Sequence, residues 1–289
     1  MSLSLVHSRP IAPVWAAAPI GRAAVRALYA ELALHPKPGL VSPLDSGSHD
    51  DMDMTTFMRS LFALRGYFCA IAEAGAVGAD FADLQALGLR AERRMLAATR
   101  GINTHRGAIF SLGLLAAAAG WLRAEGQSTA GEALGRCIAR RWGASIVRAG
   151  EQASTSHGNE AVRRYGARGA REEAAAGFPL LFDLALPTLS RSLAQGHVEA
   201  ALVQTLFAVM AELDDTNLLH RGGPEGLAFV RAQARAFLDT GGVVANGWRE
   251  RAFALHRACI ARHLSPGGAA DMLAAAAFVH DLRTGAGGA

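Results

Sequence analysis

Phe57, Leu61, Leu64 and Phe68 fall at i, i+4, i+7 and i+11, the spacing that lines one face of a helix. The same period returns over residues 84–96, 109–122, 198–213, 227–238 and 272–282. Nowhere does an apolar–polar alternation of strand type last long enough to build a sheet. Abundant alanine adds helix propensity. These patterns predict an all-α fold.

Glycine and proline interrupt the periodic stretches at 36–47, 75–78, 101–107, 126–131, 150–158, 166–169, 177–179, 222–226, 241–247 and 266–268. No compositional linker or fixed-period repeat divides the 289 residues. The expectation is one helical domain over 1–289, with residues 1–20 as an irregular lead-in. Pro10, Pro13 and Pro19 break the apolar stretch in that lead-in, and Arg22 and Arg26 follow it. It therefore does not read as a signal peptide. The apolar run 108–122 is too short for a membrane span.

Hydrophobic residues make up 51% and charged residues 19%, a globular rather than a disordered mix. The net charge is +4, and Lys37 is the single lysine. Arginine is scattered along the chain instead of forming a tail, which argues against nucleic acid as the partner. Cys69, Cys137 and Cys259 are far apart and have neither disulfide nor zinc spacing, which suits a reducing cytoplasm.

The polar residues gather in the breaks between helices, where free N–H groups and the helix dipole favour anions. Pro36-Lys37-Pro38-Gly39 holds the lone lysine between two prolines, ahead of His49-Asp50-Asp51-Met52-Asp53. Clustered carboxylates suit a magnesium–triphosphate complex, or else Asp50 or Asp51 caps a helix with Asp53 in its first turn. Asn103-Thr104-His105-Arg106-Gly107 opens a helix with donors and a glycine, outside the Walker pattern. His157-Gly158 is followed by Arg163-Arg164-Tyr165-Gly166-Ala167-Arg168-Gly169-Ala170-Arg171-Glu172. Arg164, Arg168 and Arg171 share a face if the helix runs through the glycines. Asp214-Asp215-Thr216-Asn217 and Arg221-Gly222-Gly223 end one helix and lead into another. Ser265-Pro266-Gly267-Gly268-Ala269-Ala270-Asp271 reads mainly as a turn and helix start, and His197, His256 and His280 as isolated residues. Each cluster taken alone is also explained by caps, turns and solvated faces.

Taken in order, these motifs resemble the triphosphoribosyl-dephospho-coenzyme A synthase family over residues 31–278. The resemblance implies a pentosyltransferase that joins ATP to 3′-dephospho-coenzyme A and releases adenine. The α-linked product is the precursor of a prosthetic group that a further transferase loads onto an acyl carrier protein. Lacking the extra domain of some fused citrate lyase versions, the chain leans toward malonate decarboxylase. The resemblance also implies magnesium with the ATP, and allows a homodimer.

On that resemblance, Lys37, Arg106, Arg168, Arg171 and Arg221 hold phosphates, and Gly107, His157 and Tyr165 complete the substrate contacts. Asn103, Thr104, Thr216 and Asn217 orient ribose or phosphate. Asp51, Asp53 and Asp215 are the metal candidates. Glu172 or Asp215 is the candidate base, and His49 or His105 the candidate proton donor. The competing readings are a magnesium-dependent N-glycosyl hydrolase and a non-catalytic nucleotide-binding helper.

Overall fold

The computed structural model describes residues 17–152 and 164–285, and among them there is no strand. The helices are α1 (Ala17–Ala33), α2 (Met54–Ala76), α3 (Phe81–Ala98), α4 (Arg106–Ala124) and α5 (Ala133–Gln152). Further along the chain come α6 (Ala170–Ala175), α7 (Leu186–Leu193), α8 (Val198–Glu212), α9 (Thr216–Asp239), α10 (Trp248–Ala261) and α11 (Gly267–Thr284). The all-α expectation holds. Helix α1 already begins at Ala17, inside the expected lead-in of residues 1–20.

Three helices are apolar on nearly every face, and they form the centre. They are α4, α8 and α11, with buried runs that include Leu112–Ala119, Thr205–Ala211 and Leu273–Ala276. Helix α4 packs against α1, α2, α3, α5 and α11, while α11 also touches α7 and α8. By length and composition α4 could cross a membrane, which corrects the shorter run read from sequence; most of it is buried inside the protein. Its closest partner is α2. A Cβ on Gly75 would collide with the Ala117 backbone, and one on Gly120 with the Ala72 carbonyl. The two glycines let these backbones touch, so the bundle can draw tight around α4.

Polar residues set the helix starts. Asp53, not Asp50 or Asp51, is the N-cap of α2; its Oδ1 accepts from Thr56 N at 2.8 Å. Asp215 caps α9. That helix is broken at Gly223, at φ 62° and ψ −165°. The sterics of the proline ring explain the break. Pro224 excludes an α conformation in the residue before it, and glycine can adopt the left-handed φ that results. The arginine segment is also broken. Residues 166–169 are not helical, so Arg164, Arg168 and Arg171 do not share one helical face.

Candidate active site

Four of the five motif segments, far apart in sequence, meet around the starts of α4, α9 and α11. The loop after α1 is fastened to the end of α10. His256 Nδ1 lies 2.8 Å from Lys37 O and 3.2 Å from Gly39 N, and its Nε2 lies 3.1 Å from Asp45 Oδ2. Gly39, at φ 68°, has no Cβ to strike the Leu264 carbonyl. Ser48 Oγ donates to Leu264 O at 2.6 Å, and His49 Nε2 meets Ser265 Oγ at 2.9 Å. Arg221 ties the corner together, donating to His263 O at 2.8 Å and to Ser48 O. His256 is therefore a structural anchor and not an isolated histidine; nothing in its sequence neighbourhood signalled this.

Lys37 turns inward. Its Nζ donates to Glu31 O at 2.7 Å and Glu31 Oε1 at 2.6 Å, and the residue is 1% exposed. Burial lowers the lysine pKa, and Glu31 opposes that shift. The proline-flanked lysine expected to reach a phosphate is here half of a buried ion pair.

At the start of α4, Asn103 Oδ1 accepts from Arg106 N at 3.2 Å, while Arg106 pairs with Glu92. His105 is 3% exposed, with Nδ1 2.6 Å from Ser60 Oγ and its ring edge-on to Phe57. Among the described residues, His105 Nε2 and Thr104 Oγ1 find no partner. Burial, with a smaller contribution from Lys37, pushes the His105 pKa down to about 3. His49 is shifted down too, first by burial and then by Arg221, against Asp51 and Asp50. Both rings are therefore neutral near pH 7, which removes the ready proton that a donor needs.

A neutral buried histidine also makes a linkage prediction. The unfolded ring takes up a proton near pH 6.5, and the folded ring resists doing so until about pH 3. The unfolded state then binds more protons, so stability falls as pH drops through that window. Thermal unfolding of a His105→Gln variant is expected to show a shallower loss between pH 6.5 and 4 than the parent. Equal slopes would refute the assignment.

Asp215 joins two helices. Its Oδ1 accepts from Asn217 N at 2.9 Å and Leu218 N at 3.3 Å, opening α9. Its Oδ2 accepts from Ala269 N at 2.9 Å, opening α11. Three N–H groups thus hold the buried carboxylate, two on Oδ1 and one on Oδ2. This double capping competes with the metal-binding and base roles expected of Asp215. Thr216 is the first residue of α9, and the Asn217 side chain lies against Gly267.

Asp271, from the segment that read as a plain helix start, faces the start of α4. A Cβ on Gly107 would strike its Oδ2, and Ala108 N–H bonds the carboxyl. Burial, then Glu31 and Asp215, hold its pKa well above the usual carboxylate range. Gly107, expected to contact substrate, has the role of making room for this side chain.

The arginine segment meets the Asp214 loop and α4. Arg168 N donates to Asp214 Oδ2 at 3.4 Å, and the Arg171 guanidinium stands 5.9 Å from the Phe110 ring centre. Glu172 is exposed, with Oε2 accepting from Gly169 N at 3.0 Å. Tyr165, with Asp214, Leu227, Arg231 and Arg235, borders an open cleft of about 510 Å³. His157 lies outside the described residues.

No group of three His, Cys, Asp or Glu among the described residues converges as a metal site. Magnesium needs only one or two carboxylates when phosphates and waters supply the rest. Asp51, 64% exposed and 3.9 Å from His49, fits that lesser demand. Asp53 fits less well, because Thr56 already engages its Oδ1.

Comparison with known proteins agrees with this arrangement of motifs. The model of the ATP:dephospho-CoA triphosphoribosyl transferase family matches residues 17–288. A protein of Klebsiella pneumoniae named 2-(5''-triphosphoribosyl)-3'-dephosphocoenzyme-A synthase is 40% identical over 271 residues, covering 90% of each chain. A probable synthase of the same name from Acinetobacter calcoaceticus is 39% identical over 262 residues, 89% of this chain and 90% of its own. One from Pseudomonas savastanoi is 42% identical over 273 residues, 91% of each. No solved structure gives a significant match. With motifs, helical fold and relatives in agreement over almost its whole length, the chain belongs to the ATP:dephospho-CoA triphosphoribosyl transferase family.

Proposed function

We propose that this chain transfers the triphosphoribosyl group of ATP to the 2′-hydroxyl of 3′-dephospho-coenzyme A and releases adenine. The observation that carries the reading is the meeting of the family's motif loops at the starts of α4, α9 and α11. Arg221 is the group that binds two of those loops together. Helix N-termini and arginine forks both suit phosphate oxygens.

ATP holds its base in the β configuration, so an α-linked product means net inversion. One displacement through an oxocarbenium-like state achieves this, by analogy with inverting glycoside chemistry. The electrophile is the ribose carbon, and the triphosphate must be held intact. Arg106, Arg168, Arg171 and Arg221 are proposed to hold it and the coenzyme's phosphates, with Asn103, Thr104 and Asn217 orienting ribose. Magnesium, when bound, would neutralise phosphate charge, with Asp51 as its protein ligand. Glu172 is exposed and bonds through one oxygen only among the described residues, which favours it over Asp215 as the base for the hydroxyl proton. The cleft beside Tyr165 is proposed to take part of the coenzyme.

The test is adenine release with and without dephospho-coenzyme A, with a mass spectrum of the product. Release that depends on the acceptor, with the mass of the joined product, supports the reading. Equal release without the acceptor would mean an N-glycosyl hydrolase, and binding without turnover a passive helper. Service to a malonate decarboxylase carrier in the cytoplasm is proposed as the destination. It is checked by which carrier protein a downstream transferase can load with the product.

A further inference from the structure

Release of a purine is easier when a ring nitrogen is protonated as the bond breaks, because adenine then leaves neutral. Of the groups considered, His105 is buried and neutral near pH 7, and Asp215 is held by N–H groups of two helix starts. Another group at the same junction must hold the proton.

We infer that Asp271 is the proton donor to the departing base, placed for it by the bare backbone of Gly107 at the start of α4. This rests on the proposed transfer reaction. Three observations carry it. Asp271 sits where the motif loops meet, with part of its surface open. Burial first, and then the negative charges of Glu31 and Asp215, raise its pKa well above the usual carboxylate range, while Lys37 is paired with Glu31. A carboxyl withdrawn from water, with like charges adding to the effect, keeps its proton. Asp271 is the carboxyl that keeps it, since Glu31 has the lysine and Asp215 has three N–H donors. The third observation points to a ligand. At the same helix start, His105 is 3% exposed and its Nε2 has no partner among the described residues. A buried polar atom left in that state calls for a bound group to satisfy it.

The step balances. The bond from C1′ to the purine nitrogen breaks and its electron pair goes to the purine. The Asp271 proton passes to a purine nitrogen, and the 2′-oxygen of dephospho-coenzyme A bonds to C1′ as its own proton passes to the Glu172 carboxylate. Exchange with solvent then resets both carboxyls.

The experiment compares ATP with N7-methylated ATP, whose base is already cationic and departs neutral without a proton. Asp271→Asn keeps the side-chain shape and an acceptor for Ala108 N–H. It is expected to lower kcat about 100-fold on ATP, the lower end of general acid catalysis, and only a few-fold on the methylated nucleotide. The wild-type enzyme gives a second reading that requires no variant. On ATP, kcat should fall as pH rises through the Asp271 pKa, because the acid is lost; on the methylated nucleotide that alkaline limb should vanish. Equal losses on the two nucleotides, a shared alkaline limb, or no turnover of the methylated one would each overturn the inference. If the wild type shows no acceptor-dependent adenine release, the proposed function itself falls, and the inference with it.

Discussion

Replacing Lys37 with methionine is expected to destabilise the protein by about 3–5 kcal/mol, the usual cost of removing one partner of a buried ion pair. The Lys37–Glu31 pair is buried on both sides, so the variant would strand the Glu31 carboxylate and its carbonyl without their donor. A Lys37→Met, Glu31→Gln double variant should recover much of the loss, because the uncompensated charge is gone. Chemical denaturation of the parent, both single variants and the double measures the coupling. Full additivity would show that the pair contributes nothing. The measurement also separates two roles for the lysine. If it acts from beneath the site, ATP KM should change no more than stability and loop order require. A large KM rise in a variant of parental stability would return Lys37 to direct phosphate binding.

The Asp215→Ala variant should lose about 3 kcal/mol, the sum of a lost cap and stranded N–H groups. Loss of an N-cap alone costs roughly 1 kcal/mol. The carboxylate also serves Ala269 at the start of α11, and stranding a buried N–H group costs roughly 1–3 kcal/mol more. Asp215→Asn should fall between, since the amide offers one acceptor oxygen and presents a donor where the other oxygen accepted. Thermal melts that order the variants parent, Asn, Ala would support the double-cap role. An Asn variant of full stability without activity would instead restore a direct chemical role to Asp215.

Both predictions concern residues that the motifs marked, yet the motifs did not say how they act. Lys37 between two prolines looked like a pre-positioned charge, because its partner Glu31 lies six residues back, inside a helix, with nothing in the spacing to mark it. Asp215 looked like a ligand because a helix stop rich in Asp and Asn suits a metal as well as a cap. Asp271 was the reverse case. Its segment read as an ordinary turn, and its importance depends on Gly107, Glu31 and Asp215, which come from three other elements. His256 was missed for the same reason: its partners are Lys37, Gly39 and Asp45, more than two hundred residues away.

Local chemistry reaches only a few residues along the chain. The 3.6 period, the alanine content and the glycine–proline breaks act at that range, so helices, breaks and the motif set were legible in sequence by themselves. Family membership followed from the order of those motifs. Protonation and hydrogen bonding depend instead on burial and on neighbours brought in by packing. Only the tertiary structure could decide that Lys37 is paired, that His105 is neutral, that Asp215 caps two helices and that burial raises the Asp271 pKa.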